Sequence, residues 1–280
     1  MLLPLFTVGC LKHRVKLDAA QRLLPAKDAT RADLLRALQQ KSAQIETLKG
    51  TIAVEYSSGG AKTGVLDEYR ETKGYVFVVR PAHIRVQVQA PLLLTTVAVM
   101  VSDGEEYRLS IPVKNQFAIE DVNAPISPKS SMSNLRPRVF LDGLFVDIMP
   151  YVNKPNVQSL LEEAVGAGPD GIHSFYVFSF LNTAGPELEL LEKIWIDRTN
   201  LEVARKQVFG KGGKLEQDVD YQDYHHEDGI AYPKVIVIHR PIEDFSVKMT
   251  FQQTTMNEKL DAKTFELPRP EGSELVRLTK

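Results

Sequence analysis

The chain has 280 residues and a formal net charge of −2, with 43% hydrophobic and 25% charged residues. This composition is typical of a globular protein long enough to bury a sizeable core. There is no basic surplus and no long run of Lys and Arg, which argues against a nucleic-acid-binding surface. No segment approaches the roughly 18 consecutive apolar residues of a membrane-spanning helix. We therefore expect one large domain.

The single cysteine, Cys10, excludes an intramolecular disulfide and a thiolate metal cluster. It follows an apolar run, Met1 to Gly9, that resembles the end of a bacterial lipoprotein signal peptide. On that resemblance, residues 1–10 are a signal segment, Cys10 becomes the lipid-bearing residue, and residues 11–29 form a tether. The alternative is a buried cysteine in a first strand, which the charged and irregular stretch from Leu11 to Asp28 makes less favourable.

The domain itself is expected to span residues 30–280 and to begin with a helix. Thr30 can cap a helix that runs through Leu48, because Asp33 lies near its positive end and leucines recur at helical spacing. Lys49-Gly50 ends the helix, and Ile52, Val54 and Tyr56 begin the alternation of a strand. Further strands are predicted at 64–72, 75–80, 84–90, 96–102, 105–111 and 116–120.

The connection between two of these strands has an unusual composition. Residues 84–90 alternate strictly between apolar and polar side chains, as in a half-buried strand. The turn that follows contains Pro91, Leu92, Leu93 and Leu94, where Gly, Asn, Asp or Ser would be ordinary. An exposed apolar loop tip indicates a membrane-docking or partner-docking loop. Alternatively, the leucines begin the next strand and are buried.

A proline-punctuated stretch, residues 121–171, interrupts the strand pattern. It contains two helical patterns, Arg138 to Met149 and Val157 to Val165, and is interpreted as a helical insertion. The insertion could serve as a lid, or its helices could plug one end of a barrel as ordinary core. The lid candidates are Phe140, Leu144, Phe145 and Ile148.

The second half of the chain returns to strands with no helical crossover between most of them. Strands are predicted at 172–181, 188–197, 201–209, 215–224, 231–239, 245–254 and 264–267. Short turns between successive strands favour an antiparallel sheet. We expect a mainly β (α+β) fold, an incomplete antiparallel barrel of about eleven strands wrapped over the N-terminal helix and the short helices. Such a barrel can enclose an apolar ligand cavity, for which the lining candidates are Ile52, Val54, Ile84, Val86, Val88, Val97, Val99, Phe178, Val235, Val237, Met249 and Phe251.

An enzyme is the main competing class, and its usual signatures are missing from the sequence. His225-His226-Glu227-Asp228 precedes Gly229 at an expected turn, which indicates a solvated turn rather than a metal site. There is no Gly-x-Ser-x-Gly elbow, and the glycine pairs lack the lysine spacing of a phosphate loop. We expect no catalytic residue, no metal and no cofactor.

The order of elements resembles that of the LolA/LolB family of lipoprotein carriers. The resemblance covers the chain from about Asp33 to its C-terminus. Two features favour the LolB side, which is itself lipidated and carries a projecting loop with a leucine after a proline: Cys10 and the Pro91-Leu92 pair. The motifs that carry the resemblance are Leu48-Lys49-Gly50 running into Ile52 to Tyr56, Pro81 to Arg85, Val101 to Gly104 with Tyr107, Ile194 to Arg198 with Leu201, Val203 and Arg205, Met256 to Leu260, Phe265 to Pro268, and Gly272.

The resemblance implies a function in lipid handling at the cell envelope. It implies a protein anchored to the periplasmic face of the outer membrane by its N-terminal lipid, which shelters acyl chains and passes lipoproteins to that membrane. The expected partners are acyl chains of lipoproteins or lipids and a soluble periplasmic carrier. The alternative is an envelope sensor or scaffold that uses the same barrel without transport. A lipoprotein enzyme is less favoured.

Overall fold

A computed structural model describes residues 16, 18, 22–60, 64–91, 95–124, 136–168 and 170–278. Cys10 and Leu92 to Leu94 lie outside the described residues. Within the described ranges there are two α-helices, α1 (Arg31–Gln44) and α2 (Pro137–Leu144), and fourteen strands. The strands are β1 (Thr47–Gly59), β2 (Leu66–Val79), β3 (His83–Gln89), β4 (Thr96–Ser102), β5 (Glu106–Ile111), β6 (Gln116–Asp121), β7 (Val157–Ala167), β8 (Ile172–Asn182), β9 (Glu189–Asp197), β10 (Val203–Gly210), β11 (Lys214–Glu227), β12 (Ile230–Arg240), β13 (Phe245–Met256) and β14 (Glu274–Val276).

All fourteen strands form one open sheet. Its order is β14-β6-β5-β4-β3-β2-β1-β13-β12-β11-β10-β9-β8-β7. Nearly every strand pairs with its neighbours in sequence, and β1 joins the two halves by pairing with β13. The pairs are antiparallel except for β14 with β6. The predicted fold class, an incomplete antiparallel barrel, is therefore confirmed, although the sheet has more strands than the eleven expected.

The first helix packs its apolar stripe against the inner face of this sheet. Thr30 caps α1 as expected, because its side-chain oxygen accepts a hydrogen bond from the Asp33 N–H at 3.2 Å. Leu34 and Leu38 on the helix are buried in the common core. The helix supplies one filled layer under the sheet, as the sequence predicts.

The prediction that this helix runs through Leu48 is wrong. It ends at Gln44, and Leu48 is fully buried in β1. Side chains from other elements satisfy the carbonyl groups at the helix end: Arg80 donates to the Ser42 carbonyl and Asn257 to the Gln44 carbonyl. These are tertiary contacts, so the local pattern of leucines could not locate the end.

The second predicted helix of the insertion is also wrong, because residues 157–165 belong to β7. The strand pairs without interruption with β8, from Val157 opposite Asn182 to Ala167 opposite Ile172. Leu160, Leu161 and Ala164 fit a helical spacing, but pairing with β8 outweighs that local preference. Among the described residues of the 121–171 segment, α2 is therefore the only α-helix.

Three smaller expectations also differ from the structure. The strands predicted at 64–72 and 75–80 form one strand, β2, which continues through Gly74. The strand predicted at 264–267 is largely a short 3₁₀-helix, Ala262–Phe265, and the last strand is β14. Part of the expected tether lies against the sheet, because Leu23 bridges Ile172.

The segment after β13 crosses the outer face of the sheet before β14 pairs with β6. Arg85 donates to the Thr264 and Glu266 carbonyls, and Arg108 donates to the Leu267 carbonyl. The outer face of β3 to β5 is thus covered by the chain itself. The inner face remains for the helices and for the cavity described next.

Candidate functional site

An apolar cavity of about 330 Å³ lies between α2 and the inner face of β1 to β4 and β13. Its volume is at the lower end of the range of about 300–1,000 Å³ found for small-molecule sites. The lining residues are Ile52, Val54, Tyr56, Tyr69, Arg70, Thr72, Val86, Val88, Gln89, Pro91, Val97, Ala98, Phe140, Val247 and Met249.

Strand alternation places the apolar walls of this cavity. Ile52, Val54 and Tyr56 are every second residue of β1, so their side chains share one face. Val86 and Val88 repeat the pattern on β3, and Val247 and Met249 repeat it on β13. β1 pairs with β13, and β2 connects β1 to β3. The three rows therefore form one continuous concave apolar surface.

Polar and aromatic residues border the cavity where β2 begins and β3 ends. Tyr56 and Tyr69 lie with their ring centroids 5.4 Å apart, and Arg70, Thr72 and Gln89 also line this region. Pro91 lines it from the β3–β4 connection, which is closed by a hydrogen bond from the Ala90 N–H to the Thr95 carbonyl. The connection that carries the predicted docking leucines therefore joins strands of the cavity wall.

Helix α2 forms the inner wall of the cavity through Phe140 and is fixed firmly to the sheet. The Cβ that Gly143 lacks would lie 2.3 Å from Ile238 Cδ1, so the helix backbone rests directly on β12. Sheet side chains donate hydrogen bonds to carbonyl groups of α2 and its C-cap: Lys206 Nζ to Asp142 at 2.8 Å and Phe145 at 3.1 Å, Gln217 Nε2 to Val139 at 3.2 Å, and Tyr232 Oη to Leu144 at 3.2 Å. Such contacts are typical of a helix that plugs the barrel as part of its core.

The four lid candidates occupy different positions around α2. Phe140 lines the cavity. Leu144 and Ile148 are buried in the core, and Phe145 packs under the Arg80 guanidinium at 5.2 Å. Of the two interpretations of this helix, the geometry favours the plug over the lid.

A second, polar pocket of about 180 Å³ lies on the other side of α2. Glu192 and Lys206 reach it from β9 and β10 and are only 2% and 3% exposed. Glu192 Oε2 lies 3.8 Å from Lys206 Nζ and accepts a hydrogen bond from the Tyr151 hydroxyl at 3.3 Å. Burial raises the pKa of Glu192 to about 7, against the lowering effect of Lys206.

The twelve cavity-lining candidates divide into three groups. Six line the cavity: Ile52, Val54, Val86, Val88, Val97 and Met249. Ile84, Phe178 and Phe251 belong to the filled hydrophobic core instead. The remaining three, Val99, Val235 and Val237, lie on the opposite face of the sheet, since they alternate with the core residues Met100, Ile236 and Ile238.

The last group was misplaced because these strands are apolar on both faces. A period of two then identifies a strand without identifying its inner face. Val247 and Tyr56 were not predicted as cavity-lining residues, although both continue the apolar alternation of their strands. Tyr69, Arg70 and Thr72 gave no sequence signal. Glu192 did give one, since it is a carboxylate in the same alternating row as Ile194 and Ile196.

The histidines considered as enzyme parts are not brought together. His225 and His226 lie within β11 rather than in a turn, so their adjacent side chains point to opposite faces. His173 is held between Asp170 at 2.7 Å and Asp197 at 2.5 Å. Across the described ranges, no group of three or more His, Cys, Asp or Glu is arranged to hold a metal. None of the described helices is long and apolar enough to span a membrane.

Comparison with solved structures shows the fold. A LolA superfamily protein from Nitrosomonas europaea superposes with a TM-score of 0.51 at 11% identity, covering 86% of this chain and 99% of that chain. A DUF1329 family protein from Desulfovibrio piger also gives 0.51, at 14% identity, covering 84% and 95%. A putative outer membrane lipoprotein-sorting protein domain from Vibrio parahaemolyticus gives 0.47 at 10% identity, covering 83% and 94%.

Sequence comparison adds no family assignment. No protein-family model matches the chain, and no curated protein matches it. The structural neighbours nevertheless establish that the chain has a LolA-like fold.

Proposed function

We propose that this protein is an envelope protein that shelters acyl chains in the apolar cavity and passes lipoproteins to the outer membrane. The observation that carries the proposal is the cavity of about 330 Å³, whose walls are almost entirely aliphatic and aromatic. In water, an acyl chain of about sixteen carbons costs on the order of 12 kcal/mol, at about 0.8 kcal/mol per CH₂. An apolar cavity removes most of that cost, and no catalytic step is needed.

The cavity size limits what is sheltered. Its volume lies at the lower end of the range for small-molecule sites, which favours one acyl chain over the several chains of a complete lipid anchor. Transfer then requires only that the chain bind more weakly in the donor than in the cavity, and more weakly in the cavity than in the bilayer.

Membrane attachment completes the proposal. Cys10 would carry the lipid that holds the protein at the outer membrane, and the apolar residues Leu92 to Leu94 would dock at the bilayer surface beside the cavity. This arrangement corresponds to the LolB side of the fold family. Mass spectrometry of the protein purified from its native membrane tests it directly, by detecting lipid on Cys10 and any lipid retained in the cavity.

The cavity is tested with a matched pair of variants. Val88 lines the cavity, whereas Val237 is a valine of the same sheet on its opposite face. Val88→Trp fills part of the cavity and should weaken binding of a pyrene-labelled monoacylglycerol at least tenfold. Val237→Trp should leave binding unchanged, and both variants retain a strand-compatible residue. Equal binding by both variants would remove the cavity from the mechanism.

Transport is tested separately from binding. In a reconstituted assay, the protein is loaded with a lipidated protein and mixed with liposomes, and the cargo is followed by flotation. Delivery that Val88→Trp abolishes supports a carrier. Binding without delivery contradicts the carrier and supports the sensor or scaffold alternative.

A further inference from the structure

The buried pair Glu192–Lys206 connects the sheet to the helix that walls the cavity. Lys206 Nζ donates to the carbonyl oxygens of Asp142 and Phe145 at the C-terminal end of α2, where the helix dipole favours a cation. The same ammonium group lies 3.8 Å from the Glu192 carboxylate, beyond hydrogen-bond distance. Lys206 is therefore hydrogen-bonded to α2, while the one carboxylate within 4 Å of it among the described residues comes from β9.

Glu192 itself has few hydrogen-bond partners. Among the described residues, none donates to its Oε1 atom, and Oε2 receives only the long bond from the Tyr151 hydroxyl. A buried carboxylate normally accepts several hydrogen bonds, because its desolvation is costly without them. The carboxyl group is thus poorly compensated as an anion.

The surroundings of Glu192 reinforce this imbalance. Asp142 on α2 and Asp147, which follows the helix, place negative charge near Glu192, and Arg138 lines the same pocket. Asp142 and Asp147 are already paired with Arg138 and Arg80. From the sheet, Lys206 on β10 faces it with positive charge, and Tyr221 on β11 lies near enough to interact with it electrostatically. Among the described residues that line this pocket, Lys206 is the cation not already paired with Asp142 or Asp147.

Protons can reach this group although it is buried. Glu192 lines the polar pocket of about 180 Å³, whose rim includes Arg138, and the side chain of Arg138 is 80% exposed. The carboxyl group therefore borders a polar space that reaches the surface, which is the arrangement of a titratable group in contact with solvent protons.

We propose that Glu192 is a proton-responsive group that controls, through Lys206, how firmly α2 is held against the sheet and thereby how well the apolar cavity is formed. When Glu192 is ionised, its charge competes with the α2 carbonyl groups for the ammonium group. When Glu192 is neutral, Lys206 is left to the α2 carbonyls. Phe140, on the opposite side of α2, then stays in the cavity wall.

The consequence of this inference rests on the proposed function: the affinity of the cavity for an acyl chain should fall as pH rises from 6 to 8. A cavity whose wall is already in place binds more tightly because less ordering is required on binding. Coupling between sites is commonly about 5- to 150-fold in affinity, so we expect a decrease of at least about fivefold.

The first experiment needs no ligand. Backbone amide shifts of α2 are followed by NMR between pH 5.5 and 8.5 in the wild type, in Glu192→Gln and in Glu162→Gln, a control at a partly exposed glutamate on β7. The wild type and the control should titrate with a common midpoint near neutral pH, and Glu192→Gln should not. Titration of α2 that persists in Glu192→Gln, or its absence from the wild type, overturns the proposal.

The second experiment measures affinity for the pyrene-labelled monoacylglycerol, which does not itself titrate, at pH 6 and pH 8. The wild type should bind more tightly at pH 6, and Glu192→Gln should bind equally at both. Affinity that is independent of pH in the wild type, or tighter at pH 8, contradicts the coupling. If the protein binds the probe at neither pH, the proposed function is contradicted instead. The NMR titration of α2 then still tests whether Glu192 controls this helix.

Discussion

Substitution of Gly143 by alanine tests whether α2 is a fixed plug or a loosely seated lid. In a loosely packed helix, Gly→Ala stabilises by about 1 kcal/mol through helix propensity. Here the new Cβ would meet Ile238 Cδ1 at 2.3 Å and Cγ1 at 2.8 Å, well inside van der Waals contact. Ile238 is fully buried, so a shift of its side chain must also displace the residues packed against it.

The two effects have opposite signs, and the structure indicates which prevails. Overpacking costs about 1–3 kcal/mol. Moving α2 outward to relieve it would lengthen hydrogen bonds from Gln217 and Tyr232, each worth about 0.5–1.5 kcal/mol. We expect a net loss of about 2 kcal/mol in the free energy of unfolding, measured by urea denaturation with an unchanged m-value.

Two further variants isolate the cause. Gly185→Ala is the control, because the nearest described atom to its Cβ would be the Glu187 carbonyl oxygen, at the ordinary contact distance of 3.8 Å. This variant should change stability by less than about 0.5 kcal/mol. Ile238→Val removes the Cδ1 atom, so the double variant should be about 1 kcal/mol more stable than additivity predicts. If Gly143→Ala stabilises the protein, α2 is not seated on β12 and the plug interpretation fails.

Three other predictions follow from the same structure. The raised pKa of Glu192 means that the folded state holds this proton more tightly than the unfolded state, so the free energy of unfolding should fall from about pH 4.5 to about pH 7. In denaturant titrations, Glu192→Gln should abolish this fall and be up to about 3 kcal/mol more stable than the wild type at pH 8. A pH profile unchanged by the substitution would show that the carboxyl group does not titrate in this range. Partial burial lowers the pKa of His173, but the hydrogen bonds to Asp170 and Asp197 outweigh this effect and raise the pKa. The stability that His173 contributes is complete below pH 6.5 and is lost as pH rises through its folded-state pKa. His173→Gln should therefore flatten the dependence of stability on pH across that range, and a steeper loss of stability in the variant would contradict this prediction. Leu92→Glu should leave the thermal unfolding midpoint unchanged and reduce liposome binding and delivery, whereas delivery equal to that of Leu92→Ile would exclude the loop.

Much of the fold could be predicted because strand alternation is a local signal. The ranges of β3 and β8 were predicted to within about a residue, since strict alternation or a dense apolar run lies between clear turns. The boundary errors arose where distant residues decide. Arg80 and Asn257 end α1, and pairing with β8 makes a strand of residues 157–167.

The candidate site was predictable only in part, for a related reason. Alternation marks which residues share a face, so Ile52, Val54 and Met249 were assigned to the cavity that they line. It does not say which face is inside when both are apolar, hence the misplacement of Val99 and Val237. Whether a buried position lines empty space or touches another side chain, as Phe251 touches Tyr232, depends on the packing of the whole barrel.

The pairing of β1 with β13 has a consequence for the order of folding. Ile52 on β1 lies opposite Phe251 on β13, although the two residues are 199 positions apart in the sequence. Local hairpins can form early on each side, but their union requires closure of a very long loop, which slows folding. Until β13 has been synthesised, the apolar β1 edge stays unprotected and can associate with other chains.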